Sequence, residues 1–128
     1  MLYISFLGRL LMSLIFLFSG LEKLRTWKQT AAYMTSKRMP WVPFFLVGAI
    51  VLEVGGGISV FLGWETKIGA VALILFLISA ALIFHNFWAC EGMERQIQMA
   101  MFLKNVSIMG GLLLLVYFGP GPMSIDGR

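Results

Sequence analysis

The chain has 128 residues, 59% of them hydrophobic and only 12% charged, with a mean hydropathy of +0.89. A water-soluble domain of this size has too much surface for its volume to hide that much apolar material, so the composition excludes an ordinary soluble fold and points to lipid. The formal charge of +4 does not point to nucleic acid, because the basic residues sit in short gaps between apolar runs, where they suit anionic headgroups. Cys90 is the single cysteine, which rules out an intrachain disulfide and a dithiol redox centre made by this chain alone.

The first apolar span runs from about 3 to 21 and is broken by Arg9 and by Ser5, Ser13 and Ser19. An arginine inside the run, and a poor small-residue cleavage site around Phe18, Ser19 and Gly20, argue against a signal peptide. Arg9, Ser13, Phe16, Gly20 and Lys23 recur at spacings of four and three, so they share one helical face, the one expected to meet the rest of the bundle. From 22 to 43 the chain is polar. Lys23, Arg25, Lys28, Lys37 and Arg38 mark a cytoplasmic connection, and Trp27, Tyr33 and Trp41 a headgroup belt. Residues 21 to 35 lack Gly and Pro and predict a short interfacial helix, closed off by Pro40 and Pro43.

The second span, 44 to 63, carries one acid, Glu53, near its centre. About 20 residues at roughly 1.5 Å each match a hydrocarbon core of about 30 Å. A carboxylate at that depth costs roughly 3 kcal/mol or more unless it is paired, protonated, or turned to water or protein. Gly55, Ser59 and Gly63 follow the small-xxx-small spacing that lets helix backbones approach closely. Trp64 to Lys67 is a tight reversal, so the third span, 68 to 88, lies antiparallel to the second; it is apolar until His85 and Asn86. A polar connection, 89 to 96, leads into the fourth span, 97 to 118, with Lys104, Asn105, Gly110 and Gly111. The tail GPGPMSIDGR is too rich in Gly and Pro to continue a helix. The expected fold class is all-α, an integral membrane four-helix bundle with antiparallel neighbours, in one transmembrane domain over 1–128.

Basic residues set the expected orientation. The two polar connections hold the five cations above and Arg95, against Lys67 and Arg128 on the opposite side, which puts the connections in the cytoplasm and both termini outside. Arg9 then lies about six residues, roughly 9 Å, from the outer end of its span, and Glu53 about ten residues, roughly 15 Å, from the outer end of its own. A guanidinium can cross that difference, so an Arg9–Glu53 contact is expected. His85, Asn86, Lys104 and Asn105 lie nearer the inner end, at the level of Glu22 and Lys23, as a second polar layer.

Arg9, Glu53, His85, Asn86, Lys104, Asn105 and Lys23 are therefore the candidate ligand-binding residues of a polar interior. Interhelical glue is the competing account, at roughly 0.6–2 kcal/mol per polar side chain. A lone histidine is weak evidence for a proton relay, and Lys104 could simply snorkel. An intramembrane charge is harder to dismiss, and cationic and amide groups together suit an anionic or carbonyl-bearing ligand such as a quinone headgroup or a lipid. One histidine, one cysteine and scattered acids make no closed metal site. No cofactor motif is encoded, and no residue is assigned a catalytic role.

The stretches GRLLMSLIFLFSGLEKL, EVGGGISVFLGWETKIGA, HNFW, FLKNVSIMGGLLLL and GPGPMSID, in that order, resemble the successive signatures of the DoxX family of small bacterial membrane proteins. The resemblance implies a four-helix bundle in the bacterial inner membrane. Arg9, Gly20, Lys23, Glu53, Gly63, His85, Lys104, Asn105 and the Gly119-Pro120-Gly121 turn fall where the family's motif residues fall. The family takes its name from a small subunit of a thiosulfate:quinone oxidoreductase, but most members have no assigned activity, so the resemblance confers no catalytic residue.

The leading expectation is a non-enzymatic subunit or binding module that holds a lipid or quinone-like molecule, with protein partners or self-association left open. The alternative is a component of a membrane-bound quinone-linked oxidoreductase, whose redox centre would come from elsewhere. A small transporter is a third reading, since oligomerisation could complete a pathway that four spans cannot.

Overall fold

The computed structural model describes residues 2–127, whose regular elements are all helices, and Arg128, counted above toward orientation, lies outside the described residues. The elements are α1 (Leu2–Arg25), α2 (Trp27–Ser36), α3 (Val42–Leu62), α4 (Thr66–Phe84), a 3-10 turn (Phe87–Ala89) and α5 (Gly92–Phe118). Four of the helices, α1, α3, α4 and α5, are long and apolar enough to cross a membrane. The chain is an all-α four-span bundle, with α2 as the short helix between the first two spans.

Helix ends follow local chemistry. Pro43 sits in the first turn of α3, where its missing N–H removes no helical bond. Gly63 closes α3 in the left-handed region at φ 67°, and the Trp64 N–H bonds back to Ser59 O at 3.0 Å. The Ser59 hydroxyl, 2.6 Å from Trp64 O and 3.1 Å from Glu65 O, tightens the same reversal. Gly63 is also pressed against Ser124 of the tail, so both its conformation and its surroundings require glycine.

Packing runs in the order α1, α3, α4, α5, with α1 against α3 as the most extensive contact, α4 against α5 next, and α2 laid on α3. One apolar cluster joins Phe16, Val60, Ala70, Leu73, Leu77 and Leu112 from all four spans. A smaller one, Met34, Val42, Leu46 and Ile50, seats α2 on the start of α3. Most remaining large apolar side chains are exposed, including Leu11, Phe18, Val51, Leu75, Leu82 and Leu114, as expected of surfaces wetted by lipid rather than water.

Of the three small residues at spacings of four, Ser59 packs against Gly69 of α4 and Gly63 against Ser124 of the tail. Gly55 faces open space. Gly56 meets α4 instead, where an added Cβ would lie 2.6 Å from Leu73 Cγ and 3.2 Å from Gly69 O, while Gly57 meets Phe16 and Leu17 of α1. Three consecutive glycines occupy three directions around a helix, so only the neighbours decide which of them packs. Gly56→Ala should therefore destabilise the bundle by about 1–3 kcal/mol. Gly55→Ala should change stability by less than about 0.5 kcal/mol. Unfolding in mixed micelles with increasing denaturing detergent measures both.

Candidate functional site

The register of α1 on α3 decides which charges can meet. Gly20 lies against Glu53 and Val54, and Gly57 against Phe16 and Leu17, so Glu53 stands level with Gly20. Arg9, eleven residues back along α1, is about 16 Å away at the helical rise. The expected Arg9–Glu53 contact is therefore not made. Counting depth from the span ends failed because α1 overshoots the end of α3, and the overhang is filled by the tail.

Glu53 pairs instead with Lys23, one turn beyond Gly20 on α1: Nζ lies 2.5 Å from Oε1. Glu53 is only 2% exposed. Lys23 also donates to Ser19 Oγ at 2.9 Å and lies 5.5 Å from the centre of the Phe76 ring. Glu53 Oε1 is enclosed and the Lys23 ammonium meets it outside hydrogen-bond geometry, so the pair is an ionic contact rather than a directed hydrogen bond. A pair of opposite charges with this geometry lets a carboxylate stay at the centre of a membrane helix.

The pair borders a cavity of about 260 Å³. Ile15, Phe16, Ser19 and Lys23 of α1 line it together with Thr30, Tyr33 and Met34 of α2. Ala49 and Glu53 come from α3, Phe76, Leu77, Ala80 and Phe84 from α4, His85 from the end of α4, and Lys104, Asn105 and Ile108 from α5. Ile15, Tyr33 and Lys104 are the exposed members, so the cavity opens between α1, α2 and α5. Asn105 is 5% exposed, and its amide makes no hydrogen bond among the described residues. His85 Nδ1 lies 2.8 Å from Gln98 Oε1; that amide oxygen accepts, which leaves the proton on Nδ1 and the other ring nitrogen free to accept. Lys104 is exposed, with Nζ 3.6 Å from Met101 Sδ, consistent with a snorkelling ammonium at the mouth.

Five of the seven candidate residues, Lys23, Glu53, His85, Lys104 and Asn105, thus line one cavity rather than two separate layers. Asn86 is not among the lining residues; its Oδ1 accepts from Lys37 Nζ at 3.3 Å. Arg9 belongs to the opposite end of the molecule. It is 2% exposed and donates to Phe61 O at 2.7 Å and Val60 O at 3.3 Å, and through Nη2 to Met123 O at 2.6 Å and Pro122 O at 3.4 Å. The last carbonyls of a helix have no partner within it and carry its negative dipole end, so the guanidinium both caps α3 and holds the tail.

Asp126 completes that clasp. Its carboxylate accepts from Glu65 N at 3.0 Å, Thr66 N at 2.8 Å and Thr66 Oγ1 at 2.9 Å, capping the start of α4 from the far end of the chain. Ile125 N and Asp126 N bond to Leu62 O and Gly63 O. Neither Gln98 nor Asp126 was visible as a site residue in the sequence. Only the absence of a Ser, Thr, Asn or Asp cap at position 65 hinted that α4 needed one from elsewhere.

A helical bundle with four spans and an ion pair buried inside it defines a polytopic membrane protein with an internal polar cavity. The family model described as DoxX matches residues 4–86, well over half the chain, and the chain belongs to the DoxX family. It is 36% identical over 122 residues to the inner membrane protein YphA of Escherichia coli K12, covering 95% of this chain and 87% of that protein. It is 37% identical over 119 residues to the inner membrane protein YqjF of the same organism, covering 93% and 86%. It is also 30% identical over 126 residues to the ER-derived vesicles protein ERV29 of Saccharomyces cerevisiae, covering 98% of this chain but 34% of that longer protein. No solved structure matches. Family and spans together make it a multi-pass protein of the bacterial inner membrane.

A double-mutant cycle tests the observed pairing. Lys23→Met and Glu53→Gln should couple by about 0.5–3 kcal/mol in stability, whereas Arg9→Met and Glu53→Gln should add to within about 0.5 kcal/mol. Asp126→Asn and Arg9→Gln should each loosen the tail, read as faster amide exchange across 119–127 with little change in α3 near Glu53.

Proposed function

We propose that this protein is a non-enzymatic subunit or binding module whose cavity holds a small amphipathic molecule, a lipid or quinone-like ligand drawn from the surrounding leaflet. One observation carries the reading: an intramembrane cavity bordered by the Lys23–Glu53 ion pair and a buried, unengaged amide, and open toward the lipid side between α1, α2 and α5. Glue alone accounts for Lys23 and Glu53 but not for the space beside them, since membrane bundles otherwise close such gaps by packing. The basic connection supports a mouth facing the cytoplasmic leaflet under the positive-inside rule.

The test is what travels with the protein. Purified in mild detergent and extracted for mass spectrometry, the wild type should yield about one amphipathic molecule per chain. Ala49→Phe, which fills the cavity without touching a charge, should lower that yield at least tenfold. Equal retention by the two proteins would place the molecule elsewhere and end the proposal. A bound chromophore that bleaches reversibly on reduction would move the reading to the quinone-linked oxidoreductase alternative.

A further inference from the structure

We infer that the head of the cavity's ligand is electrically neutral and bears a hydroxyl group: a hydroxyl-headed amphiphile of the glycerolipid or long-chain alcohol kind. This rests on the binding-module reading above and narrows it. The first ground is charge balance. Lys23 and Glu53 are paired at 2.5 Å, so the deep part of the cavity already carries one positive and one negative charge. Adding a phosphate or an ammonium there would leave one buried charge without a counterpart, and such a charge is far more costly than a neutral dipole. Lys104 does not alter this balance, because it is exposed at the mouth with its ammonium beside Met101.

The second ground is what the wall leaves unsatisfied. Asn105, 5% exposed, offers an amide that can both donate and accept, and His85 keeps its second ring nitrogen as an acceptor. One acceptor and one mixed group call for a ligand that donates hydrogen bonds, which a hydroxyl does and an ester or ketone alone does not.

Size supplies the third ground. At about 260 Å³ the cavity falls just below the roughly 300–1,000 Å³ of pockets that enclose a whole drug-sized ligand. That is room for a head group and not for a whole lipid, so the tail leaves past Ile15 and Ile108 into the bilayer. Glu53 lies halfway along α3, and a phospholipid anchored by its phosphate at the interface would lay acyl chain against this part of the wall.

The experiment compares four probes on detergent-purified protein by native mass spectrometry: dioleoylglycerol, geranylgeraniol, dioleoyl phosphatidic acid and oleylamine. Wild type should retain one or both hydroxyl-headed probes at least tenfold more tightly than either charged one; which of the two binds identifies the source of the head. Glu53→Gln leaves Lys23 unbalanced and should shift preference toward phosphatidic acid by tenfold or more. Lys23→Gln should shift it equally toward oleylamine. The double variant Lys23→Gln/Glu53→Gln restores neutrality and should return the wild-type order, which keeps the test intact if a single variant fails to assemble. A wild type that prefers a charged probe, or an order unchanged across all folded variants, overturns the inference. If no probe is retained while native extraction still yields a cavity-dependent molecule of another class, the inference fails and the binding-module reading stands; if that extraction also yields nothing, both fail.

Discussion

The contact between Lys23 and Glu53 is the constraint from which the rest of this molecule can be understood. A carboxylate halfway along α3 is tolerable only beside a cation, and the cation comes from one turn beyond the glycine that lets α1 lie against α3 at that level. Gly20 and Gly57 therefore do more than shorten the distance between two helices. They fix the register in which the ammonium meets the acid, and a slip of one turn in either direction would leave both charges buried and unmatched. Such a penalty makes the ion pair a device for specifying one packing among several apolar alternatives, even where its net contribution to stability is small.

The two ends of the bundle are built on different principles. At the end bearing α2, polar side chains line space: Glu53, Asn105, His85 and Lys23 surround a cavity with a mouth. At the other end, polar side chains consume backbone: Arg9 takes four carbonyl oxygens and Asp126 takes two amides and a hydroxyl. Between them, Phe16, Val60, Leu73 and Leu112 form an apolar waist. Access to the intramembrane acid is thus one-sided by construction.

How much of this could be read from the residues follows from the range over which each signal acts. Four apolar spans, the tight turn at Trp64 and a short helix before the second span are set by local composition and periodicity, and these were legible, although α1 runs on to Arg25 and the short helix starts only at Trp27. The family signatures carried Lys23, Glu53, His85, Lys104 and Asn105 together with Arg9, Gly20, Gly63 and the Gly119-Pro120-Gly121 turn, without dividing them between the two ends. What was not legible was register between helices distant in sequence, which depends on where each helix truly begins and which glycine finds a neighbour. That is why Arg9 was matched to Glu53: both are intramembrane charges, but the offset of α1 relative to α3 is invisible until the tail is seen to fill the overhang. Asp126 lay hidden for a related reason, since an exposed acid in a Gly-Pro tail looks like ordinary solubilising sequence until the uncapped start of α4 is brought beside it.

The cap on α4 has a consequence for biogenesis. The hydrogen bonds that satisfy the start of this helix come from a residue 60 positions later in the chain. During synthesis the α3–α4 hairpin must therefore enter the bilayer with those donors unmet, held by water or headgroups at the interface. Only when α5 has crossed and the segment after it folds back can the hairpin be locked. Assembly of this small bundle accordingly follows a fixed order, with the segment after α5 acting as the latch on a hairpin made earlier.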